Sequence, residues 1–301
     1  MKLIRPMAVT DAVLTSSSVA EDDFTAWNVG TTYVAGDKVR RVAADVHLTF
    51  ESAVGPNEGN DPLADASGEY WIALGPTNRW AMFDPVIQTQ TTADDEIAVE
   101  LALTGRIDTV ALQNVSAASV RVVMTDAVDG VVYDRTVSLI STDGIIDAYT
   151  YCFEPIVRLR DLTLLDLPPY GNASLEVTLT EEDGQVACGL LLVGLSRELG
   201  GTLWGATAGI RDFSTKATDD LGRTSVVERA YSKRASFQIL VTNAAVDTFQ
   251  NTLADYRATP VLYVGDGRFA SLAVFGFYRD FNVEVAYPDR SLATLDIEGL
   301  T

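Results

Sequence analysis

The sequence predicts a mainly β protein of several β-sandwiches, with a small β module and one notable helix in the C-terminal domain. Short runs rich in Val, Ile, Thr, Tyr and Leu recur along the chain, separated by Gly, Asp, Asn and Pro. Dipeptides typical of tight hairpin turns lie between such runs. The chain has 301 residues, a length that usually forms two or three domains.

Changes in residue composition and in hydrophobic pattern divide the chain into four parts. We expect a lead segment (1–22), a small β module (23–83), a β-sandwich (84–200) and a C-terminal sheet-plus-helix domain (201–301). Three of the four tryptophans, Trp27, Trp71 and Trp80, lie in the module. No stretch rich in Gly, Ser or Pro separates the parts, so we expect them to pack closely.

The sandwich is predicted from clear strand patterns. The patterns cover residues 108–115, 119–126 and 131–139. Asp129-Gly130 is a favoured hairpin turn between the last two. Residues 174–194 predict a further hairpin, turning at Asp183-Gly184.

The C-terminal domain begins with two predicted strands, over 225–232 and 235–242. A helix is then predicted from Ala245 to Arg257, ending before Pro260. Apolar residues recur there at helical spacing, at Val246, Phe249, Leu253 and Tyr256. Further strands follow the proline, which indicates a sheet with one helix.

The chain is strongly acidic. It has 42 Asp and Glu against 22 Lys and Arg, a net charge of −20. This balance argues against a nucleic-acid partner, because phosphate binding needs a basic face, and against an anionic membrane surface. No apolar run approaches the ~20 residues that span a bilayer, so we expect no membrane insertion. Pro6, Thr10 and Asp11 interrupt any signal-peptide core.

The sequence predicts no catalytic, cofactor or metal site, and therefore no enzyme. His47 is the only histidine and lies in an alternating run, so we expect a surface or half-buried strand residue. It lacks the close Cys spacing of a zinc site. Cys152 and Cys188 lie in strand-like runs and are predicted to be buried and reduced; a disulfide between neighbouring strands is the alternative.

Clusters of carboxylates are the other candidates for chemistry. Residues 94–96 (Asp-Asp-Glu) and 181–183 (Glu-Glu-Asp) are two of them. Their polar, turn-like contexts predict solvated loops. The alternative is a glycoside hydrolase, which needs two carboxylates at a set distance in a cleft.

The module resembles a known family of small sugar-binding domains. The run Ala26-Trp27, Tyr33, Gly36-Asp37-Lys38-Val39, Asn57, Gly59-Asn60-Asp61-Pro62 and Trp71 is similar to a chitin-binding module (carbohydrate-binding module families 5 and 12). The resemblance implies that Trp27 and Tyr33 stack on sugar rings. Phe50 alone stands where that family usually has two adjacent aromatics, and it is the third candidate for stacking on a sugar. The alternative is a retained scaffold in which Trp27 and Tyr33 are packed. Trp71 is predicted to form the core of the module.

A second resemblance covers roughly residues 80–301. The segments PTNRWAMFD, RIDTVALQNVSAASVRVVMTD, ELGGTLWGATAGIRDFS, RATPVLYVGD and VFGFYRDF resemble minor tail proteins of long-tailed bacteriophages. The second of these is also similar to a galactose-binding-like jelly roll. The resemblance implies a virion protein of the tail tip or baseplate, assembled in the host cytoplasm. Its implied partners are further copies in a ring-like homo-oligomer and other phage tail proteins.

Two groups of residues are candidates for the contacts of such a ring. Aromatics and Arg concentrate at interface centres, and the strand-like run 269–281 holds the first group: Phe275, Phe277, Tyr278 and Arg279. Strand alternation assigns about half of such a group to the core instead. Arg229, Lys233 and Arg234 form the second group; a solvated strand edge protected by charge is the alternative for them.

These observations together predict a structural component of a phage tail tip or baseplate. The module would lie at its periphery and contact host surface glycans. A stand-alone polysaccharide-binding protein is the first alternative, and a glycoside hydrolase is the second.

Overall fold

The computed structural model describes residues 1–142, 144–218 and 221–301. Most of these residues form antiparallel strands, which confirms the predicted mainly β class. The strands are β1 (Lys2–Pro6), β2 (Leu14–Ser17), β3 (Thr25–Ala26), β4 (Lys38–Ala43), β5 (Val46–Ser52), β6 (Trp71–Pro76), β7 (Thr91–Ala102), β8 (Thr109–Ser116), β9 (Ser119–Asp126), β10 (Gly130–Ser138), β11 (Leu162–Leu164), β12 (Ser174–Glu198), β13 (Gly201–Thr202), β14 (Thr207–Asp212), β15 (Thr215–Thr218), β16 (Thr224–Val227), β17 (Tyr231–Thr242), β18 (Val261–Val264), β19 (Ala273–Glu284) and β20 (Arg290–Gly299). The helices are α1 (Ala148–Phe153) and α2 (Val246–Asp255), and single 3₁₀ turns cover Ala81–Phe83, Asn243–Ala245 and Ala270–Leu272.

A 14-stranded sheet runs through the middle and C-terminal parts of the chain. Nine of its strands follow the order β10-β9-β12-β1-β18-β19-β20-β17-β13, and the other five pair beside this path. Strands β7 and β8 also pair with β12, and together these strands enclose the apolar core of the sandwich. The hairpin predicted at Asp129-Gly130 is present, with β9 and β10 paired on either side of it.

The hairpin predicted at Asp183-Gly184 is absent. Residues 174–198 instead form one 25-residue strand, β12, with a bulge after Thr180. Asp183 adopts a positive φ of 55° there, a conformation that Asp tolerates better than most residues. Strand β7 continues alongside β12 on both sides of the bulge, so the chain bends at this point and does not reverse.

Strand β1 connects the two large parts of the chain. Its residues pair with the end of β12 on one side and with β18 on the other. Leu3 and Ile4 are completely buried and point to opposite faces of the sheet. Leu3 packs in the C-terminal core, and Ile4 packs in the cluster between the two parts. The first strand of the predicted lead segment therefore lies inside the main sheet.

The predicted C-terminal helix is present as α2. It buries Phe249 and Leu253 against the sheet, and Phe249 meets Phe281 edge-on at 6.2 Å between ring centroids. The chain turns into β18 directly after Pro260, consistent with the helix-ending role expected of that proline.

Both cysteines are free, but only one is buried. Cys188 is buried and unpaired, as predicted, and burial raises the pKa of its thiol to about 12. Cys152 is exposed on the short helix α1. The prediction of a buried strand thiol was wrong there, because residues 148–153 form a helix with no buried side chain.

Gly194→Ala is expected to loosen the β1–β12 pairing. A Cβ at Gly194 would meet the Arg5 carbonyl oxygen at 2.3 Å and Ile4 Cγ2 at 2.8 Å. The variant should lower the free energy of unfolding by about 1–3 kcal/mol, as overpacking does. Gly201→Ala is the matched control, since its Cβ meets no atom within 4 Å. Urea denaturation measures both, and equal effects would contradict the close approach of β1.

Candidate functional site

The module is a separate four-stranded sheet in the order β3-β4-β5-β6. Its apolar core consists of Tyr33, Val39, Phe50 and Trp71. Trp71 is 2% exposed, and its indole Nε1 donates to the Asn60 carbonyl oxygen at 2.9 Å. Trp71 is therefore the core residue that its position predicted.

Two of the three predicted sugar-binding residues lie in this core. Tyr33 is 6% exposed and Phe50 is 5% exposed. Tyr33 packs edge-on against Trp71 at 5.2 Å between ring centroids, and its hydroxyl accepts from the Asn28 amide at 2.8 Å. Buried rings offer no free face to a sugar, so the stacking role predicted for Tyr33 and Phe50 was wrong.

Trp27 is the predicted residue that stays partly accessible. Its side chain is half-buried, and the Arg41 guanidinium lies 5.0 Å from the centroid of its ring. Arg41 in turn donates two hydrogen bonds to Asp61, at 3.0 and 2.9 Å. The Arg41 side chain lowers the pKa of the Asp61 carboxyl. A charged pair thus covers one side of the Trp27 ring.

The Asn-rich motif of the module serves its own fold. Asn57 is completely buried, and its amide nitrogen donates to Ser52 Oγ at 3.0 Å and to the Tyr70 carbonyl oxygen at 3.2 Å. Asn60 donates to the Asn57 side-chain oxygen at 2.9 Å. These bonds satisfy a buried amide and hold the loop over the core.

Asp65 anchors the last loop of the module. Its carboxylate accepts hydrogen bonds from the amides of Tyr70 and Trp71, at 2.7 and 2.8 Å, and from the Ser67 hydroxyl at 2.8 Å. Desolvation raises the pKa of Asp65, but the hydrogen bonds outweigh it and bring the pKa to about 2. The loop that places Trp71 in the core therefore depends on an ionised carboxylate.

His47 forms one of the contacts between the module and the lead segment. Its Nε2 lies 2.6 Å from Asp11 Oδ1 and its Nδ1 lies 2.8 Å from Glu21 Oε1. The imidazole stacks on Trp80 at 4.1 Å between ring centroids. Both nitrogens can donate only when the ring is an imidazolium. The half-buried strand position predicted for His47 is confirmed, but its two carboxylate partners were not foreseen.

The first group of predicted interface residues divides between core and surface. Phe275 is buried, 3% exposed, in the cluster that joins the two large parts of the protein, so its interface role was wrong. Phe277 and Tyr278 are half-buried, and Tyr278 packs on the C-terminal core. Arg279 is exposed.

The second group divides in a similar way. Lys233 Nζ lies 2.5 Å from Asp161 Oδ2, an ion pair that ties the C-terminal part to the sandwich. The contact of Lys233 with a neighbouring copy stays a prediction. Arg229 and Arg234 are exposed. Arg234 and Arg279, distant in sequence, meet with Arg211 at one groove of about 940 Å³.

The acidic clusters at 94–96 and 181–183 lie close together. Strands β7 and β12 pair on both sides of the bulge that contains them. Glu181 forms an ion pair with Arg158. The clusters are mostly exposed, as predicted, but they lie within paired strands at a bulge and not in loops.

Sequence reasoning missed two exposed features. Residues 144–159, here called the apolar arm, expose large apolar side chains, although the sequence around Cys152 predicted a buried strand. Their exposures are Ile146 86%, Tyr149 70%, Tyr151 74%, Phe153 71%, Ile156 68% and Val157 59%. The second feature is Trp204, which is 82% exposed. The density of apolar residues in 144–159 was the signal for the arm; nothing in the local sequence marks Trp204 as exposed.

Among the described residues, no group of three or more His, Cys, Asp or Glu side chains is placed to hold a metal ion. None of the helices in the described ranges has the length and apolar character to cross a bilayer. Comparison of the chain with protein-family models, with curated proteins and with solved structures found no match. What the chain does is therefore inferred from its own residues and geometry.

His47→Ala is expected to weaken the attachment of the module. It leaves the Glu21 carboxylate, only 14% exposed, without its imidazole partner and removes the stack on Trp80. The free energy of unfolding should fall by about 1–3 kcal/mol, as for a buried group that loses its partner. Urea denaturation followed by tryptophan fluorescence measures the change.

Lys38→Ala is the matched control for His47→Ala. Lys38 pairs with Glu51 at 3.6 Å on the module surface, and exposed pairs contribute only about 0–1 kcal/mol. If His47→Ala lowers the free energy of unfolding no more than Lys38→Ala does, the attachment of the module does not depend on the imidazole.

Asp84 gives a pH-dependent prediction. Burial raises the pKa of its carboxyl to about 6, against an ordinary value of 3.8, although the Val86 amide acts to lower it. The folded state therefore holds the proton more tightly than the unfolded state, and stability is lost as the pH rises from about 4 to about 6. Asp84→Asn should raise Tm at pH 7 and leave it nearly unchanged at pH 3.5.

Asp126→Asn is the control for Asp84→Asn, and its expected effect on Tm at pH 7 has the opposite sign. The amides of Val128 and Asp129 lower the pKa of Asp126, so its contribution is present at pH 7 and lost in acid. This variant should lower Tm at pH 7. Thermal unfolding at both pH values distinguishes the two, and a gain at pH 7 for both variants would refute the assignment.

Proposed function

We propose that this protein is a structural subunit of a bacteriophage tail tip or baseplate that assembles as a ring-like homo-oligomer. Other tail proteins are its further partners, and the virion is its place of action after assembly in the host cytoplasm. The role requires no catalysis and no cofactor. The net charge of −20 argues against nucleic acid as a partner.

The observation that carries the proposal is the apolar arm. Its base is a short ladder in which the Ser141 amide donates to Val157 and the Leu159 amide donates to Leu139, at 2.8 and 2.7 Å. Beyond this base lies α1, whose Asp147 and Thr150 form a capping box. An ordered segment that leaves this much apolar surface in water indicates an interface.

A second copy of the chain is the occupant proposed for the arm. In a ring, one patch of each subunit meets a different patch of the next. The groove lined by Arg211, Arg234 and Arg279 also contains three carboxylates, so it presents charges of both signs. Complementary charges of that kind orient partners and exclude wrong ones.

The module at 23–83 is proposed to lie at the periphery of the assembly. Within it, Trp27 is the residue proposed to contact host surface glycans, because its ring is the partly accessible one of the three predicted residues. Aromatic stacking with a polar neighbour such as Arg41 suits this role.

Immunogold electron microscopy with an antibody against the purified chain tests the proposed location. Label confined to one end of the tail is the expected result on particles from the source. No label on intact or detergent-opened particles, with an antibody proven on the free chain, would overturn it. Glycan binding by the chain in that case would favour the alternative of a stand-alone polysaccharide-binding protein.

Ile146→Asp is expected to prevent self-association. It places a carboxylate on the arm at a side chain that is 86% exposed. Sedimentation velocity should show oligomers of the wild-type chain. Added salt should strengthen this self-association, because screening weakens the repulsion between acidic subunits. The variant should remain a monomer with an unchanged Tm.

Val128→Asp is the control for Ile146→Asp. Val128 is 91% exposed but lies in the turn between β9 and β10, away from the arm. It should associate like the wild type. A wild-type chain that stays monomeric at every concentration and salt would contradict the homo-oligomer.

A further inference from the structure

A pocket of about 340 Å³ opens on the surface of the C-terminal part. Two connections form it, the one between β13 and β14 and the one between β18 and β19. The first contributes Trp204, and the second contributes Asp266, Arg268 and Phe269. None of these residues belongs to the module or to the apolar arm.

Two exposed aromatic rings dominate the pocket. Trp204 is 82% exposed and Phe269 is 47% exposed. The Arg268 guanidinium lies 5.6 Å from the Trp204 ring and 5.9 Å from the Phe269 ring. Tryptophan is the largest apolar side chain and is mostly buried in folded proteins, so a ring this open has a face free for a ligand.

A charged pair lies beside the rings. Arg268 Nη2 donates to Asp266 Oδ2 at 2.6 Å, and the Arg268 amide donates to Asp266 Oδ1 at 3.0 Å. The Arg268 side chain holds the pKa of Asp266 at about 2, so the carboxylate is ionised. Together the two groups are neutral, yet they offer further donors and acceptors to a ligand.

The two connections are fixed by hydrogen bonds. The Thr202 hydroxyl donates to the Gly265 carbonyl oxygen at 2.6 Å, which joins one connection to the other. The Leu203 amide donates to the backbone carbonyl oxygen of Gln238 at 2.8 Å. Gly205 has a φ of 102°, a conformation that favours glycine, and it lets the chain turn directly after Trp204. The pocket is therefore formed before any ligand arrives.

We propose that this pocket binds a neutral saccharide. The apolar face of a sugar ring fits an open aromatic ring, and its hydroxyls can pair with Asp266 and Arg268 at the rim. An apolar side chain from another protein would bury the remaining donors and acceptors of this pair without offering them partners, at a cost. A charged sugar would gain nothing from a pair that is already neutral. The site goes beyond the proposed function, which places glycan contact in the module, and does not require the chain to be a tail subunit.

The test uses the full chain with maltotriose, cellotriose and chitotriose as probes. Saturation-transfer difference NMR and tryptophan fluorescence should detect at least one of them with a Kd on the order of 1 mM. Trp204→Ala should weaken this binding roughly two- to tenfold. Trp204→Phe keeps an aromatic face and should retain most of it. Because Trp204 is exposed, neither variant should change Tm.

Tyr287→Ala is the matched control, since Tyr287 is also an exposed aromatic, at 56%, and lies in the β19–β20 connection. It should bind like the wild type. The proposal is overturned if the wild-type chain binds none of the three probes, or if Trp204→Ala binds them as well as the wild type does. Loss of binding on Trp27→Ala alone would place the site in the module. Loss of self-association on Trp204→Ala without loss of saccharide binding would assign the pocket to a protein partner.

Discussion

The pairing of β1 on both of its edges holds the two large parts of the protein together. Five residues at the N-terminus complete a sheet that otherwise comes from β12 on one side and β18 on the other. Leu3 and Ile4 face different cores, so a shift of one residue would exchange them and bury the wrong face. Gly194 leaves the space that this register needs. The C-terminal core and the cluster that joins it to the sandwich therefore depend on a strand remote from them in sequence.

The module is attached by a different kind of contact. Where β1 uses backbone pairing and apolar burial, the module uses His47 between two carboxylates, stacked on Trp80. Arg79 Nε adds a hydrogen bond to the Val19 carbonyl oxygen at 2.8 Å. Polar joints of this kind are specific in geometry but modest in strength. The module can thus serve as a peripheral unit without carrying the stability of the main sheet.

The surface combines strong negative charge with local apolar features. A net charge of −20 favours solubility of single chains, while the apolar arm and the Trp204 pocket keep apolar area in contact with water. Of the aromatic residues that the family resemblance marked, Tyr33 and Phe50 stabilise the module from inside. The most open aromatic platform lies instead at a residue that no motif identified. Sequence patterns therefore predicted the buried Trp71 but not which aromatic rings are accessible.

The sequence by itself determined the local elements: the mainly β class, the hairpin at Asp129-Gly130 and the helix before Pro260. Turn dipeptides and helical periodicity act over a few residues, so they can be recognised from the sequence alone. Only the tertiary structure decided that β12 continues past Asp183-Gly184 without reversing, because β7 lies alongside it there. It also decided that Phe275 is buried while Arg279 is exposed. Burial depends on which distant segment packs against a residue, and that information is not local.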